Sequence, residues 1–387
     1  MIKHFLKNND RLRVGIVGCG LIGGKRAQVI IEDSSSLFCC AADVLIENAQ
    51  AISANKAYDN WQEMLERESL DAVVVSTPNK YLKDIVISAA QRKIHVLCEK
   101  PLGRSLAESE DILLACKENG VILKTGFNHR HHPALFQAHE LVTGGAIGPV
   151  YFVRCMYGHG GRPGYEKEWR ASKDICGGGE LLDQGVHVVD LFRWFLGDFE
   201  EAVGYTQTCY WPMEVEDNAF AIFRTSSGRT AMMHTSWTQW KNRFTFEIFG
   251  EAGYLIVEGL GGSYGVEKLT IGKRPRNGKN RDSAHFSDGR FGEKGDSPYF
   301  SAEKMGQSPF FQAQSPFSYL GGAPEEETMI FDGPDISWEL EWKEFTAAIR
   351  EGREPLGSGL DGLEANRMIE AVYRSAKENR PVKIREM

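Results

Sequence analysis

A glycine-rich turn near the N-terminus constrains the fold of this 387-residue chain more than any other feature. The apolar run 13–17 predicts a buried strand. It leads into a G-x-G-x-x-G turn at 18–23, and helical sequence follows to about Ile31. Such glycines allow a tight turn, close approach of a pyrophosphate and close packing of helix on strand, and the helix N-terminus faces the anion. We therefore predict a dinucleotide site at Gly18, Gly20, Leu21, Ile22 and Gly23.

A second predicted strand, 37–42, ends at Asp43, which lies 20 residues after Gly23. An acidic side chain at this place hydrogen-bonds the ribose hydroxyls of the adenosine. Its charge also repels the additional phosphate of NADP, and no arginine follows Asp43 directly. The pattern favours NAD over NADP, with an ordinary turn residue at Asp43 as the alternative interpretation.

Alternating strands and helices continue to residue 127 and predict a doubly wound parallel sheet, a dinucleotide-binding Rossmann domain over residues 1–127. The expected strands are 71–75, 95–98 and 121–126, and the expected helices are 59–67, 81–92 and 105–119. Residues at the carboxyl edge of such a sheet bind ligands. The further cofactor-binding residues that we predict there are Thr77, Pro78, Asn79, Glu99, Lys100 and Asn128.

The pattern changes after residue 127. Long β-type runs separated by turns predict an α+β domain over 128–387 with a large, mostly antiparallel open sheet, its strands at 150–157, 200–211, 218–225, 230–240 and 244–257. Amphipathic helices at 336–351 and 361–379 and a last strand at 382–384 follow. The segment 276–327 has the composition of a long insert. Its three Ser-Pro-aromatic repeats indicate that it packs on a neighbouring subunit or on the substrate mouth.

A second glycine run, 177–179, precedes a predicted helix with Asp183 in its first turn and His187 four residues later on the same face. A carboxylate near a helix N-terminus is held ionised, and beside an imidazole it forms a proton-handling pair. A helix that merely buries a satisfied histidine is the structural alternative. A zinc site is a third, since histidines also cluster at 129–132. No further ligands stand at suitable spacing, so we expect no metal.

Composition disfavours several classes of partner. The formal charge of −8 argues against nucleic acid and anionic membranes. No apolar run approaches the roughly 20 residues that span a bilayer, and the N-terminus lacks the apolar core of a signal peptide. Eight scattered cysteines without a C-x-x-C pair indicate reduced thiols. We therefore expect a cytoplasmic protein.

These motifs resemble the Gfo/Idh/MocA family of NAD(P)-dependent sugar and cyclitol dehydrogenases. The matching motifs lie at residues 15–20, 77–79, 98–102, 178–190 and 372–376. The resemblance implies that Lys100, Asp183 and His187 converge on the substrate carbinol beside the nicotinamide. His187 is the first choice as base, with Asp183 fixing its tautomer or binding a neighbouring hydroxyl. Lys100 stabilises the alkoxide or acts as the base instead. One departure is Leu82, where many members have a histidine near the cofactor.

The function that the resemblance implies is hydride transfer from a secondary hydroxyl of a sugar, sugar derivative or cyclitol to NAD. An NAD-dependent glycosidase that acts by transient oxidation and a non-catalytic nucleotide-binding sensor stay open as alternatives. Trp169 and Arg170 follow a glycine-rich loop, 158–165, and are predicted to bind a sugar face and a hydroxyl, carboxylate or phosphate. A purely structural loop is the other interpretation. The family also implies a homo-oligomer, a dimer or tetramer, that assembles through the open sheet.

Overall fold

The computed structural model describes residues 11–52, 56–274 and 324–386 of the chain. Its first part alternates strands with helices: β1 Leu12–Val17, α1 Leu21–Glu32, β2 Ser36–Ala42, α2 Ile46–Ala51, β3 Lys56–Tyr58, α3 Trp61–Arg67, β4 Ala72–Val75, α4 Asn79–Gln91, β5 His95–Cys98, α5 Leu106–Asn119 and β6 Leu123–Thr125. The apolar runs become strands that helices cover on both faces, and every residue of β4 is buried.

These strands form one parallel sheet in the order β3-β2-β1-β4-β5-β6. The chain starts in the middle of the sheet and winds outwards first to one side and then to the other, which confirms the predicted doubly wound Rossmann architecture. The winding direction reverses between β1 and β4. Ligands of such sheets bind in the crevice at this reversal, beyond the carboxyl ends of the strands.

The rest of the described chain consists of α6 Pro133–Thr143, β7 Val150–Gly158, α7 Lys173–Cys176, α8 Glu180–Asp183, α9 Gly185–Leu196, β8 Glu201–Gln207, β9 Asn218–Arg224, β10 Thr230–Ser236, β11 Arg243–Gly250, β12 Gly253–Glu258, β13 Glu267–Lys273, β14 Glu325–Phe331, α10 Ser337–Glu351, α11 Gly359–Glu378 and β15 Val382–Lys383. Its strands form a nine-stranded sheet in the order β14-β13-β12-β11-β7-β10-β9-β8-β15.

This second sheet is mostly antiparallel, as predicted. The turns at 227–228 and 250–253 join antiparallel neighbours, β9 with β10 and β11 with β12. Within the sheet, β10 runs parallel to β7. The two strands are free to run in the same direction because no turn connects them: three helices and two strands come between them in the chain.

The predicted insert needs a correction at its C-terminal end. Glu325 already begins β14, which pairs antiparallel with β13 over its whole length. The preceding part of the insert, 276–323, lies outside the described residues, so its packing on a neighbour or on the substrate mouth stays a prediction.

Helix α10 packs against the first sheet although it comes late in the chain. Its side chains Trp342, Phe345 and Ile349 join the apolar cluster of β1, β2 and α1. The Trp342 indole also donates hydrogen bonds to Asp33 Oδ2 at 3.0 Å and Ser36 Oγ at 3.1 Å. Helix α10, which the predicted domain boundary between residues 127 and 128 assigns to the second domain, thus completes the core of the first. The boundary therefore stays a prediction.

One face of the second sheet is covered by α6, α9 and α11, which form the largest apolar cluster of the described chain. The opposite face exposes apolar side chains, among them Tyr205, Phe220, Ile222 and Met232. No described helix is both long enough and apolar enough to cross a membrane.

Candidate active site

The glycine turn has the geometry that its sequence predicts. Gly18 has φ +91°, and an added Cβ there would lie 2.6 Å from the carbonyl oxygen of Ser76. A Cβ on Gly23 would lie 2.1 Å from the Gly18 oxygen, so α1 packs on the turn too closely for a side chain. Gly20 differs, since a Cβ there would meet nothing within 4 Å. The turn therefore leaves open space at the N-terminus of α1, where a pyrophosphate fits.

Asp43 lies at the end of β2 beside this turn. Its Oδ2 accepts a hydrogen bond from the Cys19 backbone N–H at 2.7 Å, and its Oδ1 accepts one from Leu45 N–H at 2.9 Å. Leu21, Val44 and Leu45 are 80%, 86% and 59% exposed around it. Exposed apolar side chains next to a fixed carboxylate suit an adenosine, with its flat base and its ribose hydroxyls. The residues present therefore fit a bound NAD.

Three other predicted cofactor-binding side chains contact the protein itself. Asn79 Nδ2 donates to the carbonyl of Cys176 at 2.8 Å, and Asn128 Nδ2 donates to Ser337 Oγ at 3.0 Å. Glu99 accepts a hydrogen bond from Arg26 Nε at 2.8 Å. These side chains tie distant parts of the chain together at the crevice, which the sequence motifs did not indicate.

The neighbouring Thr77-Pro78 pair lies in the short connection between β4 and α4. Pro78 immediately precedes α4. Thr77 Oγ1 is buried and has no hydrogen-bond partner in the described chain. A buried hydroxyl without a partner is uncommon in folded proteins, and this one lies at the carboxyl edge of β4, where ligands of such sheets bind. The NAD-binding roles of Thr77, Pro78, Asn79, Glu99 and Asn128 remain predictions.

Lys100 meets Asp183 across the two parts of the molecule. The Lys100 ammonium, just after β5, donates to Asp183 Oδ1 at 2.8 Å and to the Asp183 carbonyl at 2.6 Å. Arg170 Nε donates to the other carboxyl oxygen at 3.2 Å. Burial by itself would raise the pKa of Asp183, but the charges of Lys100 and Arg170 lower it well below its ordinary value. Asp183 is therefore an ionised carboxylate held between two cations.

His187 lies in the first turn of α9 and is 5% exposed. Its pKa lies well below the ordinary histidine value because burial disfavours the charged ring, and the nearby Lys100 ammonium acts in the same direction. The imidazole is consequently neutral near pH 7, the form that accepts a proton.

The expected contact between Asp183 and His187 requires a correction. The predicted single helix is two helices, since α8 ends at Asp183 and α9 begins at Gly185, with Gln184 between them. The Asp183 carboxylate binds Lys100 and Arg170, while His187 Nδ1 has no hydrogen-bond partner among the described residues. Asp183 therefore does not fix the tautomer of His187 here. It orders the two cations instead.

The histidines at 129–132 lie at the junction of the two parts rather than on the surface. His129, His131 and His132 are all buried, on or just after a 3₁₀ turn over Asn128–His131 that precedes α6. The described ranges contain no group of three or more His, Cys, Asp or Glu residues placed to hold a metal ion. His129 stacks on His187, with ring centroids 3.8 Å apart. In the sequence, the cluster of histidines at 129–132 was the one indication of this contact.

Arg170 and Trp169 line the same site. The Arg170 guanidinium lies over the Trp169 ring, 4.4 Å from its centroid. Because Asp183 already binds this guanidinium, and Glu168 lies 3.7 Å from it, most of its charge is neutralised within the protein. This arrangement favours recognition of a hydroxyl over capture of an anion.

Glu180, the first residue of α8, is a member of the site that we did not predict. Its side chain is completely buried, and neither carboxyl oxygen has a hydrogen-bond partner of good geometry in the described chain. Burial raises the pKa of Glu180 well above its ordinary value, and the Asp183 charge adds to this rise. Its surroundings therefore favour the protonated, neutral form of this carboxyl group.

Comparison with known proteins identifies the class of protein that this fold and site define. Residues 12–127 match the family model described as an oxidoreductase family with an NAD-binding Rossmann fold, and residues 136–256 match the model of the GFO/IDH/MocA C-terminal domain. A D-xylose 1-dehydrogenase (NADP(+)) of Haloferax volcanii is 31% identical over 226 residues, covering 57% of this chain and 68% of that protein. The chain belongs to the Gfo/Idh/MocA family.

Other relatives match over greater lengths. The myo-inositol 2-dehydrogenase of Thermotoga maritima is 26% identical over 97% of this chain and 99% of its own length. The levoglucosan dehydrogenase of Pseudarthrobacter phenanthrenivorans is 25% identical over 64% of this chain and 73% of that protein. A solved structure of levoglucosan dehydrogenase with NADH and levoglucosan is 20% identical, covers 97% of this chain and 99% of that one, and superposes with a TM-score of 0.78. At that identity the superposition shows that the fold is shared.

Proposed function

We propose that this protein oxidises a secondary hydroxyl of a sugar, sugar derivative or cyclitol with NAD. The observation that carries the proposal is the contact of Lys100 with Asp183 beside the neutral His187, at the crevice next to the glycine turn. Named relatives that act on a sugar and on a cyclitol support the substrate class. Family membership and the open glycine turn support NAD as the cofactor.

The residues of the site divide the work that alcohol oxidation requires. The bound nicotinamide supplies the hydride acceptor. His187, whose lowered pKa keeps the imidazole neutral, accepts the hydroxyl proton. The Lys100 ammonium stabilises the negative charge that develops on the substrate oxygen. Asp183 holds Lys100 in place, Asp183 and Arg170 bind neighbouring hydroxyls, and Trp169 packs against the sugar.

Substitution of the two central residues tests this proposal. We expect Lys100→Met and His187→Ala each to lower kcat by roughly 10²- to 10⁴-fold, the usual contribution of proton transfer and charge stabilisation. The Kd for NAD should change much less than kcat, because the glycine turn that receives the pyrophosphate contains neither residue, although Lys100 is also one of the predicted cofactor-binding residues. The measurement is NADH formation with a panel of sugars and cyclitols, together with NAD titration of each variant.

A matched control is Lys80→Met. Lys80 also joins the two parts of the molecule, through Asp174 at 2.5 Å, but it does so on the surface. We expect its kcat to equal that of the wild type. Wild-type turnover in Lys100→Met or His187→Ala would contradict the assigned roles. Cleavage of a glycoside without net formation of NADH would show that the protein is a glycosidase and not a dehydrogenase.

We also propose that the protein works in the cytoplasm. Its eight cysteines are all unpaired. A reducing compartment keeps thiols in this state.

A further inference from the structure

We propose that His129 is a positioning residue whose ring stacks on His187 and fixes the orientation of the base. This inference rests on the proposed role of His187. The two imidazoles lie 3.8 Å apart between centroids with an angle of 22° between their planes. A stack of this kind holds the ring plane through its face and does not occupy the nitrogens at the ring edge.

A catalytic base normally needs a third group to orient it, often through a hydrogen bond. Asp183 does not supply that bond, because its carboxylate binds Lys100 and Arg170. His187 Nδ1 has no hydrogen-bond partner in the described part of the chain. The ring contacts that remain are the stack on His129 and an edge contact with Phe127 at 6.0 Å. The stack is therefore the closer of the two constraints on the plane of His187.

His129 is itself held at both nitrogens. Its Nδ1 lies 3.1 Å from Asn128 Oδ1, and its Nε2 lies 3.2 Å from the Tyr157 hydroxyl. Asn128 is anchored in turn by its hydrogen bond to Ser337 on α10. A neutral imidazole has one donor and one acceptor, so both contacts can be satisfied only in defined tautomers. The ring that supports His187 is consequently fixed by β7, by α10 and by its own turn.

The surroundings also keep His129 neutral. Burial lowers its pKa well below the ordinary value, and the neighbouring His187, His132 and Lys100 lower it further. The charged and titratable groups around the stack include Lys100 after β5, the Tyr157 hydroxyl on β7, and His132, which precedes α6 and lies 2.5 Å from Glu267 on β13. A neutral His129 does not repel the imidazolium that forms when His187 takes up a proton.

A double-mutant cycle separates positioning from simple core packing. We expect His129→Leu to lower kcat by roughly 10- to 100-fold, since a small misplacement of a catalytic group can cost about 10²-fold. We expect His129→Phe, which keeps a flat ring but loses both hydrogen-bond anchors, to lose less kcat than His129→Leu. In the His187→Ala background, His129→Leu should change kcat by less than about 2-fold, because the residue that it positions is gone.

His139→Leu is the matched control. His139 stacks on Trp194 at 3.9 Å between centroids, and it has no part in the site. Its removal should leave kcat unchanged in both backgrounds. NAD titration should give the same Kd for all His129 and His139 variants, so that a loss of kcat is not a loss of cofactor.

An equal loss of kcat from His129→Leu in both backgrounds, or a wild-type kcat in His129→Leu, would overturn the proposal. If the leucine variant does not fold, Tyr157→Phe removes one anchor of His129 and decides the question in the same cycle. It should lower kcat roughly 3- to 10-fold, and only when His187 is present. An unchanged kcat in Tyr157→Phe, or the same loss without His187, would also overturn it. Wild-type turnover in His187→Ala alone would instead contradict the proposed role of His187 as the base, whereas a wild-type protein that forms no NADH with any sugar or cyclitol of the panel would contradict the proposed function.

Discussion

Substitution of Glu341 on α10 tests whether buried ion pairs hold this helix against the nucleotide-binding part of the molecule. Its carboxylate lies 2.6 Å from Arg26 on α1 and 3.7 Å from Lys124 on β6. The three side chains are at most 1% exposed. Replacement by glutamine keeps the shape and removes the charge, so the effect measures electrostatics rather than a cavity.

The size of the loss follows from the partners that remain. After Glu341→Gln, Arg26 keeps Glu99 at 2.7 Å, whereas Lys124 loses the one carboxylate that is within ion-pair distance in the described chain. Removing one partner of a buried ion pair costs about 3–5 kcal/mol because the other charge stays buried and uncompensated. We expect the free energy of unfolding to fall by about that amount.

The assay is urea unfolding followed by tryptophan fluorescence, with Glu339→Gln as control. Glu339 pairs with Lys343 at 2.5 Å on the same helix, but both side chains are at least 50% exposed. An exposed pair contributes about 0.2–1 kcal/mol, so this variant should unfold nearly like the wild type. If the two variants have unfolding midpoints that cannot be distinguished, the buried ion cluster does not stabilise the junction as argued.

Two further outcomes follow from the site and the sheet. Because the pKa of Glu180 is raised in the folded protein, the folded state binds the Glu180 proton more tightly than the unfolded chain does. The contribution of this group to stability is complete below the ordinary carboxyl pKa. It is lost as pH rises towards the raised value, by up to about 1.4 kcal/mol per pH unit. Glu180→Gln should remove that loss, so its Tm advantage over the wild type should grow between pH 5 and 8; a constant difference would contradict it. The exposed apolar face of the second sheet is where we expect copies of the chain to associate. Ile222→Lys on that face should lower the molar mass measured by light scattering, and an unchanged oligomer would exclude this face.

The sequence was sufficient to predict those parts of the fold whose signals are local. The turn at Gly18 and Gly23, the parallel strands and the turn-linked antiparallel pairs are each encoded within a few neighbouring residues. Asp183 and Lys100 were predicted to meet because of the family resemblance, and the structure brings them to 2.8 Å.

Features that depend on contacts between distant segments could not be predicted in the same way. The apolar stripe of α10 indicates burial, but not that Trp342 packs on the first sheet. The spacing of Asp183 and His187 suits one continuous helix, and the break at Gln184 sends the carboxylate elsewhere. Nothing in its local sequence distinguishes Glu180 from a surface residue at the start of a helix.

The late position of α10 has a consequence for how the chain is made. Trp342 and Asp33, which are hydrogen-bonded, stand 309 positions apart. When the glycine turn and its sheet leave the ribosome, the helix that seals one side of that sheet has not yet been synthesised. The core of the cofactor-binding part thus cannot be completed before residue 351 has been synthesised, and a product that stops short of that residue would lack this seal.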